Sequence, residues 1–240
     1  MAGARQLDVR NATMARSLVG ANRVAAMSES ESVSNVVVVD HALVQHKLTL
    51  MRNVETPPPL FRQILRETAA LLAFEAMRTL PTSPLTVETP MGSTTGVQLT
   101  TDPAIISILR AGNGLLDGFL DIVPSATVGF LGMYRDHDTL EAIEYYTNIP
   151  TGLADRVTIA VDPMLATANT AISAVAKLRR AGAVDLRLVC LVAAPEGIER
   201  LHQADPDVTI ITASIDQGLN EVGYIVPGLG DAGDRIYGTH

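Results

Sequence analysis

Val157-Thr158-Ile159-Ala160-Val161-Asp162-Pro163-Met164-Leu165-Ala166-Thr167-Ala168-Asn169 runs directly into Thr170-Ala171-Ile172-Ser173-Ala174-Val175-Ala176-Lys177-Leu178, and this junction decides the fold. The apolar, β-branched run that ends at Val161 reads as a buried strand. Asp162 closes it, a short loop of small residues follows, and a helix begins. Such a junction directs backbone N–H groups and the positive end of a helix dipole at one point, which is a natural seat for a phosphate.

The same texture repeats on both sides. Strands are expected at Ala104–Leu109, Thr127–Met133, Val157–Val161, Leu186–Val192 and Val208–Ala213, and helices near Asn113–Ile122, Asn169–Arg180 and Pro195–Ala204. Strand and helix alternating at this spacing predict an α/β fold: a mostly parallel central sheet with helices on both faces, joined by right-handed crossovers. Ligands of such sheets bind beyond the carboxyl ends of the strands. Polar residues gather at those ends: Arg110 follows the first of these strands, Arg135 and Asp136 the second, Asp162 the third, and Ser214 to Gly218 the last. Arginine at this rim suits bidentate binding of phosphate or diphosphate.

Composition narrows the field. The chain of 240 residues is 47% hydrophobic, with mean hydropathy of +0.23, enough to fill a core and unlike a disordered chain. A net charge of −8 argues against sequence-independent nucleic-acid binding, which needs a basic face. No apolar run reaches the roughly 18–20 residues of a membrane span. The single cysteine, Cys190, lies within an apolar strand and is expected to be a buried, reduced side chain, in keeping with a cytoplasmic setting. The histidines at 41, 46, 137 and 202 show no metal-ligand spacing.

The flanks differ from the middle. Residues 1–35 carry Ser28-Glu29-Ser30-Glu31-Ser32 and no apolar period, so they are expected to form a disordered extension to a domain over 36–240. Arg5, Arg10, Arg16 and Arg23 give the segment a transit-like flavour that Asp8 opposes. Val36–Val39 reads as a strand, Asp40–Leu48 as a short capped helix, and Thr56-Pro57-Pro58-Pro59 as the entry to a helix over about Leu60–Thr79 with Leu60, Ile64, Thr68, Leu71, Leu72 and Glu75 near one face. Val87–Leu99, with Pro90, Gly92 and Gly96, suggests a hairpin arm. Tyr224 to Arg235 holds three glycines and a proline, which disfavours a regular helix and favours a loop able to read the edge of a flat heterocycle.

On these residues the chain resembles the uracil phosphoribosyltransferases from about Val38 to its end. The resemblance rests on His46-Lys47-Leu48, Ile108-Leu109-Arg110-Ala111-Gly112, Met133-Tyr134-Arg135-Asp136, Asp162-Pro163-Met164-Leu165-Ala166-Thr167, Ala193-Ala194-Pro195-Glu196-Gly197, Ala213 to Glu221, and Tyr224 to Asp234. It implies the type I phosphoribosyltransferase fold with a small hood and a hairpin arm. The implied reaction is uracil plus 5-phospho-α-D-ribose 1-diphosphate giving UMP and diphosphate, with Mg²⁺ carried by the diphosphate substrate rather than by protein ligands. By similarity, Asp162, Pro163, Met164, Leu165, Ala166, Thr167, Ala168, Asn169 and Thr170 hold the ribose diphosphate, with Asp162 on the ribose hydroxyls. Arg110 and Arg135 take the diphosphate, Ile225, Gly230, Asp231 and Ala232 take uracil, and Asp231 also faces the ribose diphosphate and is the general-base candidate. A homodimer or tetramer and a GTP effector also follow from the resemblance, with no nucleic acid or membrane among the partners.

The chain departs from the family pattern at two places. The family loop continues Ala-Thr-Gly-Gly-Ser, where this chain has Ala166-Thr167-Ala168-Asn169-Thr170, and Asn113 replaces a usually apolar residue. A Cβ at residue 168 is expected to crowd a phosphate, so Ala168→Gly with Asn169→Gly is expected to tighten binding. This departure also motivates an alternative, a non-catalytic or regulatory relative that binds the ribose diphosphate or a nucleotide; a third reading, an enzyme of the same class acting on another base, is opposed by the intact Gly230-Asp231-Ala232 loop.

Overall fold

A computed structural model describes residues 35–135 and 142–239, without the side chains of Tyr134, Arg135 and Ala142. Apart from Asn35, the extension expected over residues 1–35 lies outside the described residues, as do Asp136 and His137. In chain order the elements are β1 (Val36–Val38), α1 (Ala42–Arg52), α2 (Pro58–Ala76), β2 (Thr82–Thr89), β3 (Gly92–Leu99), β4 (Ala104–Leu109), α3 (Asn113–Ile122), β5 (Thr127–Arg135) and β6 (Ala142–Asn148). They continue with β7 (Thr158–Val161), β8 (Met164–Leu165), α4 (Asn169–Arg180), β9 (Leu186–Ala193), α5 (Pro195–Ala204), β10 (Thr209–Ile215), β11 (Gly218–Leu219), β12 (Ile225–Val226) and α6 (Ala232–Tyr237).

The main sheet runs β1-β10-β9-β7-β4-β5-β6, with β8 pairing to β9. Its strands are parallel except β6, which pairs antiparallel to β5. Alternate residues of each central strand face opposite layers, because strand side chains have a period of two. Ile105, Ile159, Val189 and Ile211 join the apolar cluster that holds Met51 of α1, Phe61 and Leu72 of α2 and Phe119 of α3. Their neighbours Ile106, Ala160, Cys190 and Ile210 join the cluster under Val175 and Leu178 of α4 and Leu201 of α5. Cys190 is fully buried, and that burial pushes its thiol up to about 12.

The structure corrects several expectations. The first helix spans Ala42–Arg52 rather than ending at Leu48, with His41 Nδ1 accepting from the Leu43 N–H at its start. The second spans Pro58–Ala76, and its buried face is Phe61, Ile64, Leu65, Thr68, Ala69, Leu72, Ala73 and Ala76. Leu60 is instead 44% exposed, because the face turns by one residue to meet α3. The hairpin arm starts at Thr82, before Pro84, which sits in an outlying two-stranded sheet. Strand β6 escaped the sequence reading: Ala142-Ile143-Glu144-Tyr145-Tyr146-Thr147-Asn148 is an edge strand with largely exposed side chains and no continuous apolar run. The glycine-rich C-terminal span does not exclude a helix: α6 begins at Ala232, with Asp231 Oδ1 capping it from the Asp234 N–H at 2.9 Å.

Candidate active site

Strand order places the site. From β4 the chain moves to β5 on one side, then crosses to β7, β9 and β10 on the other. The crevice beyond the carboxyl ends of β4 and β7 is the point where that order reverses, the favoured ligand position in open α/β sheets. A cavity of about 530 Å³ opens there.

The β4 turn lines one wall with Ile108, Leu109, Arg110 and Ala111. Gly112 makes this turn possible. A Cβ on it would stand 2.4 Å from the Val161 carbonyl oxygen and 2.5 Å from that of Ile108, so the β4 turn rests directly on β7. The Tyr237 hydroxyl donates to the Arg110 carbonyl at 2.9 Å, leaving the exposed guanidinium at the mouth. Asn113 accepts from the buried Ser107 hydroxyl at 2.8 Å, so this unusual residue has a polar partner of its own.

The β7–α4 loop forms the floor, contributing Asp162, Met164, Ala166 and Thr170 to the cavity. Pro163 and Leu165 turn inward, their carbonyls accepting from the Leu191 and Ala194 N–H groups, each at 2.9 Å. Burial pushes the Asp162 carboxyl up to about 7; the Met164 N–H opposes this, and the charge of Asp231 adds to the rise. Ala168 begins α4 at φ 65° and ψ 0°, the one non-glycine residue with positive φ among the described residues. Its methyl is buried in the apolar cluster under α4 and α5, and the residue does not line the cavity. The crowding expected from this Cβ therefore gives way to a backbone conformation that is unusual for alanine.

The C-terminal segment supplies the remaining wall: Val222 to Ile225 and Gly230 to Gly233. It is held from behind. Arg52 donates from Nη1 to Asp216 Oδ2 at 2.7 Å and from Nη2 to Oδ1 at 2.6 Å, and Nη1 also reaches the Gly228 carbonyl at 2.9 Å. Burial raises the Asp216 carboxyl, but bonds from Arg52, Ser214 and the Gly228 N–H, with the charge of Arg52, outweigh it and leave this acid below its ordinary value. Arg235 lies 4.5 Å over the Phe61 ring and donates to the carbonyls of Met51, Leu229 and Asn53.

Of the residues expected from the sequence, Arg110, Asp162, Met164, Ala166, Thr170, Ile225, Gly230, Asp231 and Ala232 meet in one cavity. Pro163, Leu165, Thr167, Ala168 and Asn169 shape the loop without lining the cavity, and the Arg135 side chain lies outside the described residues. The sequence reading missed Met133, Tyr224 and Gly233 in the lining and the Arg52–Asp216 brace behind it. Those braced partners stand 164 residues apart, and no local spacing announces them. Among the described residues no group of three or more His, Cys, Asp or Glu side chains gathers as a metal cage, and no helix is long and apolar enough to cross a membrane.

A parallel sheet with its cavity at this switch point is the architecture of the type I phosphoribosyltransferases. Adenine phosphoribosyltransferase of Leishmania donovani shares the fold with a TM-score of 0.51 at 15% identity, over 80% of this chain and 88% of that one. The AQ2163 protein of Aquifex aeolicus matches with a TM-score of 0.81 at 36% identity, over 85% of this chain and 98% of that one. The family model described as uracil phosphoribosyltransferase matches residues 38–239. A protein of Mesorhizobium japonicum named uracil phosphoribosyltransferase is 57% identical over 208 residues, covering 86% of this chain and 100% of that protein. The chain belongs to the uracil phosphoribosyltransferase family.

Proposed function

We propose that this chain transfers the 5-phosphoribosyl group of 5-phospho-α-D-ribose 1-diphosphate to N1 of uracil, giving UMP and diphosphate. The observation that carries the reading is the convergence of Arg110, Asp162 and the Gly230–Ala232 turn on one cavity, in a chain of this family. In the reaction the bond from ribose C1 to the diphosphate oxygen breaks, a bond from C1 to uracil N1 forms, and the N1 proton leaves. The transition state resembles an oxocarbenium ion, so charge on the departing diphosphate must be neutralised. Arg110, on the cavity wall, supplies positive charge there, and the family resemblance gives Arg135 the same task. The loop Asp162–Thr170 receives the 5′-phosphate at the start of α4, whose first N–H groups have no partner within the helix.

Asp162 accepts from the ribose hydroxyls. Gly230 and Ala232 offer backbone groups to the edge of uracil, and Ile225 packs against its face. A base with the wrong donor pattern leaves those groups unpaired, which is how the site discriminates. Asp231 stands nearest in role to a general base for N1, with one carboxylate oxygen committed to the start of α6. The two acids Asp162 and Asp231 feel each other's charge, a donor set suited to a hard cation. Mg²⁺ bound chiefly to the diphosphate would face these carboxylates and offset leaving-group charge.

A cytoplasmic location fits the reduced, buried Cys190. GTP as an effector follows from family resemblance alone. A homodimer or tetramer fits the outlying hairpin, on which Met91 is 95% and Val97 74% exposed. Steady-state formation of UMP from uracil and the ribose diphosphate, with and without Mg²⁺ and GTP, tests the reading. Cytosine, hypoxanthine and orotate as competitors test the base. Binding of the ribose diphosphate without turnover would overturn it.

A further inference from the structure

Helix α5 lies against the back of the β7–α4 loop. Gly197 shows how closely: a Cβ there would stand 2.2 Å from the Ala166 carbonyl oxygen and 2.9 Å from that of Leu165. One turn further along the same face, Arg200 spreads its guanidinium over the loop. Nη1 donates to the Thr167 carbonyl at 2.6 Å and Nη2 to Asn169 Oδ1 at 2.8 Å. These two acceptors flank Ala168, the residue held at φ 65° with no side-chain cap of its own.

We propose that Arg200 is a positioning residue that keeps the phosphate-binding loop in shape by bridging Thr167 to Asn169 across Ala168. The inference rests on the phosphate role given to this loop under the proposed function. An alanine in the left-handed region costs about 1 kcal/mol or more relative to its relaxed conformations. Left unsupported, residue 168 relaxes toward negative φ and swings the N–H groups of Asn169 and Thr170 off their common focus. A planar fork with two diverging donors resists this swing, because both acceptors move if residue 168 turns. Lysine carries the same charge but no fixed fork, so it cannot span the two acceptors in the same way. Arg200 is exposed, so its charge acts on the ligand weakly through solvent and its effect falls mainly on loop geometry.

The test compares wild-type protein, Arg200→Ala, Arg200→Lys and Asn169→Ala by steady-state kinetics, with Arg200→Ala repeated in an Ala168→Gly background. Losing two charge-assisted bonds at an exposed site predicts a rise of about fivefold in KM for the ribose diphosphate. The expected kcat stays within twofold, and KM for uracil is unchanged. Lysine should behave like alanine, and Asn169→Ala combined with Arg200→Ala should be no worse than the poorer single variant. Glycine at 168 adopts the left-handed conformation freely and should recover most of the lost affinity.

A wild-type KM in Arg200→Ala, full rescue by lysine, or a penalty indifferent to glycine at 168 would each overturn the proposal. Amide hydrogen exchange over Thr167–Ala171 in the ligand-free protein separates this failure from failure of the proposed function. Faster exchange in Arg200→Ala upholds the bridge even if no UMP forms, and unchanged exchange rejects it.

Discussion

Asp162 is the residue with the most to lose from its position. A carboxyl raised from 3.8 to about 7 holds a proton in the folded protein across a pH window where the unfolded chain has released it. The sign follows: the folded state gains from this group at low pH and loses that gain as pH rises from about 4 to about 7. Asp162→Asn removes the slope. We expect the ligand-free variant to be more stable than wild type at pH 8 by about 1–2 kcal/mol, the cavity's water discounting the full shift, and no more stable at pH 4. Thermal melts at both pH values check this, and equal differences at the two would contradict it. The same variant should lose activity by about 100-fold, since an amide no longer gives the ribose hydroxyls a charged acceptor. One residue pair separates in the structure where the sequence treated it as a unit. Ala168→Gly relieves a left-handed alanine and should lower KM for the ribose diphosphate about twofold. Asn169→Gly removes an acceptor of Arg200 and should raise it, so kinetics on the two single variants replace the expectation that both glycines help.

At the scale of elements, α1 governs the C-terminal wall through the Arg52 brace. Asp216 is almost wholly buried, with 2% of its side chain exposed. Arg52→Ala strands that carboxylate, which costs about 3 kcal/mol at neutral pH. The wild-type carboxyl is held below its ordinary value, so its contribution is present above pH 4 and fades as pH falls through the folded value. The variant's deficit should therefore shrink in acid, and its KM for uracil should rise more than its KM for the ribose diphosphate. Urea unfolding at pH 7 and pH 3.5 with substrate kinetics reads both effects. The elements themselves were unequally legible. Strand β4 and helices α3, α4 and α5 fall at the residues expected, because each joins a compact apolar pattern to a clear Gly, Asn or Pro boundary. Strand β6 was not legible, since an exposed edge strand has no apolar face to betray it. Helix α6 was not legible either, because the Asp231 cap acts against a glycine-rich background.

For the whole molecule, the cavity was legible as a set of polar strand ends but its enclosure was not. Strand periodicity locates Arg110 and Asp162, whereas the C-terminal wall depends on pairs such as Arg52 with Asp216 and Arg235 with Asn53, far apart in the chain. The hairpin arm forms a two-stranded sheet separate from the main one. Its two strands pair in full register from Thr82 with Leu99 to Thr89 with Gly92, yet Leu85, Val87, Met91 and Val97 are exposed. A lone two-stranded ribbon is marginal in water, so a second chain is its expected cover. Light scattering after gel filtration should give a dimer or larger species. Replacing Thr86–Thr95 with a short turn should shift the protein toward monomer while the sheet keeps its far-ultraviolet signature; an unchanged mass would contradict this. The chain's one thiol, sealed in the central sheet with its ionisation suppressed, has a practical consequence. A cysteine placed on the arm or beside the cavity would be the single group that takes a maleimide dye, so loop motion and assembly can be followed by fluorescence on an otherwise native background.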